Sequence, residues 1–122
     1  MAAKIYDYFK LCEDVKKIDH RILFSGVIND RGKLVAGGLR EGVSTFRSVQ
    51  DDERSFTQLA LNVKMRQEFD KQLGEVNFAM TVREKMTTFS TLIGNDILYV
   101  TASPEIEYSS LPPKIFQVVD ES

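Results

Sequence analysis

Residues 24–38 constrain this chain more than any other stretch. Two apolar runs flank Asn29, Asp30, Arg31 and Gly32. Asn and Asp side chains bond their own backbone, and glycine accepts a positive φ without steric cost, so the four residues reverse a strand cheaply. The stretch reads as a β-hairpin at the centre of a small sheet, with strands over 22–28 and 33–39. Both strands are apolar or small almost throughout, which predicts cover on both faces. Gly26, Ala36, Gly37 and Gly38 stand where bulky side chains are expected. A helix packed close over the strands is one reason, and a β-bulge is another.

The flanking segments supply that cover. Ile5, Tyr8, Leu11, Cys12, Val15 and Ile18 recur at three- and four-residue spacing, which places a helix with one apolar stripe over 4–19. Residues 51–73 read as a long second helix. Ser48 and the acids Asp51, Asp52 and Glu53 suit its start, and Gly74 suits its end. This helix carries two apolar stripes: Phe56, Leu59, Ala60 and Val63, and then Leu61, Met65, Phe69 and Leu73. At about 100° per residue the stripes point in different directions, and both need burial. One fits the sheet. The other needs a further layer, which in a chain this short suggests a second subunit.

Val76, Phe78, Met80 and Val82 alternate with more polar or smaller residues and predict a strand over 76–82. Strands over 87–93 and 97–101 follow, separated by tight turns at 84–85 and 94–96. Ser103 and Pro104 read as the cap and first residue of a short helical segment. Leu111, Pro112 and Pro113 are expected to break it, and 114–119 to restart as a short closing helix. The resulting order is α-β-β-α-β-β-β-α, one α/β (α+β) domain over residues 1–122.

Few residue types are available for chemistry. His20 and Cys12 are the only histidine and cysteine, and a His/Cys metal site needs about four such ligands. Cys12 lies on the apolar stripe of the first helix, where a buried and inert thiol is the ordinary reading. Gly37 and Gly38 are not followed by Gly-Lys-Ser/Thr or by a helix start, so no phosphate loop is formed. The carboxylates at 13–14 and 51–53 fit helix surfaces and caps. With 16 basic and 18 acidic residues the net charge is −2, and no basic excess points to nucleic acid. No apolar run approaches the roughly 18 residues of a membrane span, and no signal peptide is read at the N-terminus, so a cytoplasmic protein is expected. Neither a cofactor nor an enzymatic activity is expected.

The arrangement resembles a known family. One helix, a hairpin ending in Asp30-Arg31-Gly32-Lys33-Leu34-Val35-Ala36, a long helix, three strands and a terminal helix is the order of Roadblock/dynein-light-chain domains, within the profilin-like or longin-like fold. Leu11-Cys12, residues 22–29 and Gly32-Lys33-Leu34-Val35-Ala36 more narrowly resemble a family of short proteins from ammonia-oxidising archaea. The resemblance implies a single five-stranded antiparallel sheet with helices on both faces. It also implies a homodimer through the long helix and the strand after it, serving as a platform for small GTPases or motors.

Together these readings predict a non-enzymatic regulatory or scaffolding module. Its partners are a second copy of itself and another protein, a small GTPase being the class the resemblance implies. Leu61, Met65, Phe69, Leu73 and Phe78 are the interface candidates, and Arg40, Glu41 and Arg47 the candidates for a loop that meets a partner or an anionic ligand. The alternative is a sensing domain with a small molecule between sheet and helix. An apolar cavity over the hairpin is the observation that favours it.

Overall fold

The turn closes as its side chains dictate. Asn29 Oδ1 accepts from the backbone N–H groups of Arg31 and Lys33, both at 3.0 Å, and Gly32 holds a φ of 79°. The computed structural model describes residues 5–44 and 48–122. The hairpin joins β1 (Ile22–Ile28) to β2 (Leu34–Leu39), and β3 (Ala79–Val82), β4 (Thr87–Ile93) and β5 (Asp96–Ala102) complete the sheet. The strand order is β2-β1-β5-β4-β3, antiparallel throughout. β1 is therefore central while β2 is an edge. The expectation that both hairpin strands are covered holds for β1 alone, and Leu34, Val35 and Leu39 on β2 stay exposed.

Helices lie on both faces. On one, α1 (Tyr8–Lys16) and α4 (Leu111–Glu121) bury Leu11, Cys12, Val15, Leu111, Ile115 and Val119 against Val27, Phe89, Leu98 and Val100 of the sheet. Each large apolar side chain buried there contributes about 1.5–3 kcal/mol, so this face holds the core. Asp7 caps α1 by accepting from the Lys10 N–H at 3.1 Å. The helix is shorter than the predicted 4–19, whose first residue lies outside the described ones. Tyr8 ties α1 to the start of β5 by donating to Asp96 Oδ2 at 2.7 Å. Burial and this carboxylate push the phenol pKa up to about 12.

The other face carries α2 (Val49–Gln67) and the four-residue α3 (Asp70–Leu73). Ser48 caps α2 by accepting from the Asp51 N–H at 3.1 Å. The single helix predicted over 51–73 is broken at Phe69, whose φ of −103° and ψ of 6° leave the helical region. The N–H groups of Glu68 and Phe69 bond three residues back, to Met65 and Arg66, tightening the final turn as helix ends commonly do.

Three other boundaries differ from the sequence expectation. β3 begins at Ala79 and not at 76, because the Asn77 carbonyl is taken by the Thr91 hydroxyl at 2.7 Å. Residues after Ser103 form a turn and then a 3-10 helix at Tyr108–Ser110, not one helical segment. Pro112 and Pro113 do not break a helix. They sit in the first turn of α4, where N–H groups have no intrahelical acceptor and proline loses nothing.

Close approach explains Gly37. Its φ is +84°, and a Cβ there would meet Ser25 O at 2.2 Å and Cys12 Sγ at 2.9 Å. Gly38 has nothing within 4 Å of its would-be Cβ. Gly37→Ala is expected to cost about 1–3 kcal/mol in urea unfolding, the range for a forced left-handed residue, with Gly38→Ala much milder. Equal effects would show that neither the left-handed backbone nor the close approach of β1 and α1 limits position 37.

Candidate functional site

α2 is poorly covered for a helix of its length, since Ala60 alone of its 19 residues is buried. Its inward stripe sits over the sheet, where Phe56 meets Phe24 and Tyr99 with ring centroids 5.7 and 6.2 Å away. Its outward stripe meets nothing comparable. Leu61, Met65, Phe69 and Leu73 are 56, 61, 53 and 81% exposed, and they follow one another at four-residue spacing along α2 and, past the break at Phe69, α3. Scattered exposed apolar residues are normal, but a contiguous row marks an interaction surface.

Beside the end of this row runs β3, whose outer backbone edge has no strand partner among the described residues. Val82 on this strand and Val76 before it are also exposed. Phe78 is placed differently from the four helix residues. It stacks on Phe89 at 5.6 Å and meets Phe116 at 5.9 Å, so its ring belongs to the α4 side of the sheet while remaining 41% exposed. The structure thus groups Leu61, Met65, Phe69 and Leu73, and sets Phe78 at the strand edge on the opposite face.

The candidate loop divides. Arg40 Nε donates to Ile22 O at 2.7 Å and Nη2 to Asp19 O at 2.8 Å, with a further bond to Lys16 O. Its guanidinium therefore closes the carbonyl end of α1 and the junction into β1. Glu41 is exposed in the turn that follows. Arg47 lies outside the described residues. At the same junction Arg21 Nε and Nη2 grip Asp19 Oδ1 and Oδ2 at 3.0 and 2.9 Å. Hydrogen bonds from the Arg21 side chain and backbone hold the Asp19 carboxyl down at about 2.

His20 is exposed nearby, while Cys12 is fully buried and burial pushes its thiol pKa up. The two cannot work as a nucleophile and base. Among the described residues no group of three or more His, Cys, Asp and Glu is placed to hold a metal ion, and no helix is long and apolar enough to cross a membrane.

A second feature lies between the first half of α2 and the sheet. It is a cleft of about 300 Å³ lined by Phe24, Leu39, Phe56, Met86 and Tyr99, with Arg83 and Lys85 on its border. The small residues of the hairpin do not form it. A Cβ at Gly26 would lie 2.8 Å from both the Phe24 ring and Leu34 Cδ1, so that space is filled. The described cleft residues come from β1, β2, β5, α2, the β3–β4 turn and the loop after β2, and no local spacing in the sequence announces them.

A family model described as a family of unknown function, DUF6659, matches residues 2–121. The chain belongs to DUF6659. Among curated proteins none matches it. This DUF6659 chain is similar in structure to the Roadblock/LC7 domain from Streptomyces avermitilis, with a TM-score of 0.70, 11% identity, and coverage of 95% of this chain and 94% of that one. It is similar to MglB from Myxococcus xanthus, with a TM-score of 0.73, 16% identity, and coverage of 97% and 93%. It is also similar to profilin from Schizosaccharomyces pombe, with a TM-score of 0.65, 9% identity, and coverage of 94% and 95%. These likenesses show that the DUF6659 chain has the Roadblock and profilin-like fold expected from its element order.

Arg40→Ala removes a charged donor from three carbonyls, of which Asp19 O keeps the Ile22 N–H at 3.1 Å. It is expected to lower stability by about 1.5–3 kcal/mol, the range for bonds from a charged donor, while Glu41→Ala stays within about 0.5 kcal/mol. Chemical denaturation checks both, and a silent Arg40→Ala would leave that residue free for a partner. The Asp19 carboxyl, with a folded pKa below its ordinary value of 3.8, stabilises above pH 4 and loses that contribution as pH falls through about 2. The stability gap between the native chain and Asp19→Asn should therefore close between pH 4 and 2. A gap unchanged over that range would remove the carboxylate charge as its source.

Proposed function

We propose that this DUF6659 chain is a non-enzymatic regulatory or scaffolding module that works as a homodimer and docks a protein partner, with a small GTPase as the partner class. The observation that carries the reading is the exposed row of Leu61, Met65, Phe69 and Leu73 together with the edge of β3 that has no strand partner among the described residues. A two-fold pairing would bury this row against its own copy and satisfy the strand edge in the same step. MglB, among the similar structures, occurs in a tetrameric arrangement, which supports self-association in this fold.

The two sheet edges are not equivalent, and this favours β3. The β1–β2 ladder shifts register between Val27 and Ile28, and Gly37 in β2 adopts a φ of 84°. Such irregularity spoils an edge for strand addition. β3 pairs with β4 in unbroken register from Ala79 to Val82, so its free side presents a regular row of backbone groups.

Sedimentation equilibrium of the native chain should report a dimer. Phe69→Glu acts twice in a two-fold interface, and it is expected to raise the dimer dissociation constant by about 100-fold while the circular dichroism spectrum stays native. A native chain that remains monomeric at high concentration removes the dimer. A Phe69→Glu chain that remains dimeric places the interface elsewhere. Loss of small-GTPase capture by the same variant, from a lysate of the source organism, tests the docking half of the reading.

A further inference from the structure

The cleft under the first half of α2 has an unfinished lining. Phe24, Phe56 and Tyr99 converge there with centroids 5.7, 5.9 and 6.2 Å apart, yet all three are only half-buried. Aromatic rings that meet merely to close a core end up covered. Here they surround about 300 Å³ of space together with Leu39 and Met86. That volume is at the small end of ligand pockets, which span about 300–1,000 Å³ and are mostly apolar with a few polar groups at fixed points.

The border supplies the fixed charges. Arg83 and Lys85 line it from the β3–β4 turn, and Asp52 of α2 is the one carboxylate among its described lining residues. Glu84, between the two cations in the turn, is not part of the lining, so the described wall of this apolar space carries two cations against one anion. We propose that the cleft binds a small hydrophobic carboxylate. The apolar body lies among the rings, and the carboxylate sits at the Arg83 and Lys85 end. The size suits a chain of about eight carbons or one substituted ring. A neutral molecule of the same shape would leave the border charge unmatched, and an amine would oppose it.

The site is separate from the outward row of α2, so it stands or falls independently of the dimer. The test titrates the full chain, labelled with nitrogen-15, with octanoate, octanol and octylamine. Octanoate should shift the amides of residues 24, 39, 56 and 99 saturably, and bind about five- to tenfold more tightly than octanol, as two partly solvated charges allow. Octylamine should bind most weakly. Arg83→Glu with Lys85→Glu changes only an exposed turn and should abolish the preference for octanoate while leaving octanol unchanged. Leu39→Trp fills the space and should remove both. Absence of saturable shifts with all three probes overturns the site, as do shifts confined to other residues. Equal binding of octanoate and octanol, unchanged by the double charge reversal, overturns the carboxylate.

Discussion

The hairpin closes, and α1 lies against it, at a position that carries no side chain. A Cβ at position 37 would collide first with the Ser25 carbonyl and the Gly26 Cα of β1 and then with the Cys12 sulfur of α1. From that contact much of the first face follows. Leu11 and Val15 are brought onto the strands, α4 packs beside α1, and the carbonyl end of the helix comes within reach of the Arg40 guanidinium. The apolar burial that outweighs chain entropy is concentrated in this one layer.

The opposite face is built on different terms. α2 is long and capped, but its sheet-facing residues are mostly half-buried. Helices with thin tertiary cover draw more of their stability from local sequence and open more readily than the core. Such an element is suited to work at a boundary, because its outer residues can be repacked without disturbing the layer that holds the fold. An outward apolar row and an inward cleft are two expressions of the same incomplete cover.

Most of the architecture was legible because it rests on local rules. β1 and β4 fall on the predicted residues, since β-branched and apolar runs bounded by turn residues leave little choice. Ser48 caps α2 as expected because capping is decided within one turn, whereas Gly74, expected to end the same helix, closes the short α3 while α2 ends at Glu68. The misread points depend on information outside the local window. Pro112 and Pro113 look like a break unless the 3-10 turn before them is known. The start of β3 depends on the Thr91 hydroxyl, fourteen residues away from the carbonyl it takes. Phe78 shares a period with Val76 and Met80, but only the pairing register shows which sheet face it joins. Arg40 reads in the sequence as a contact for a partner or an anionic ligand because the carbonyls it closes belong to an earlier helix and its exit. The cleft was hidden for a similar reason, since its walls are assembled by strand order.

The irregular ladder at β2 has a further meaning for how this chain can be counted. A sheet with two regular edges can be extended from either side, and copies added head to tail need never stop. In this sheet the β2 side is bulged while β3 presents a regular row of backbone groups. The proposed pairing of two copies through β3 would leave a bulged β2 at each outer edge, so the number of chains in such a sheet is limited by geometry rather than by concentration.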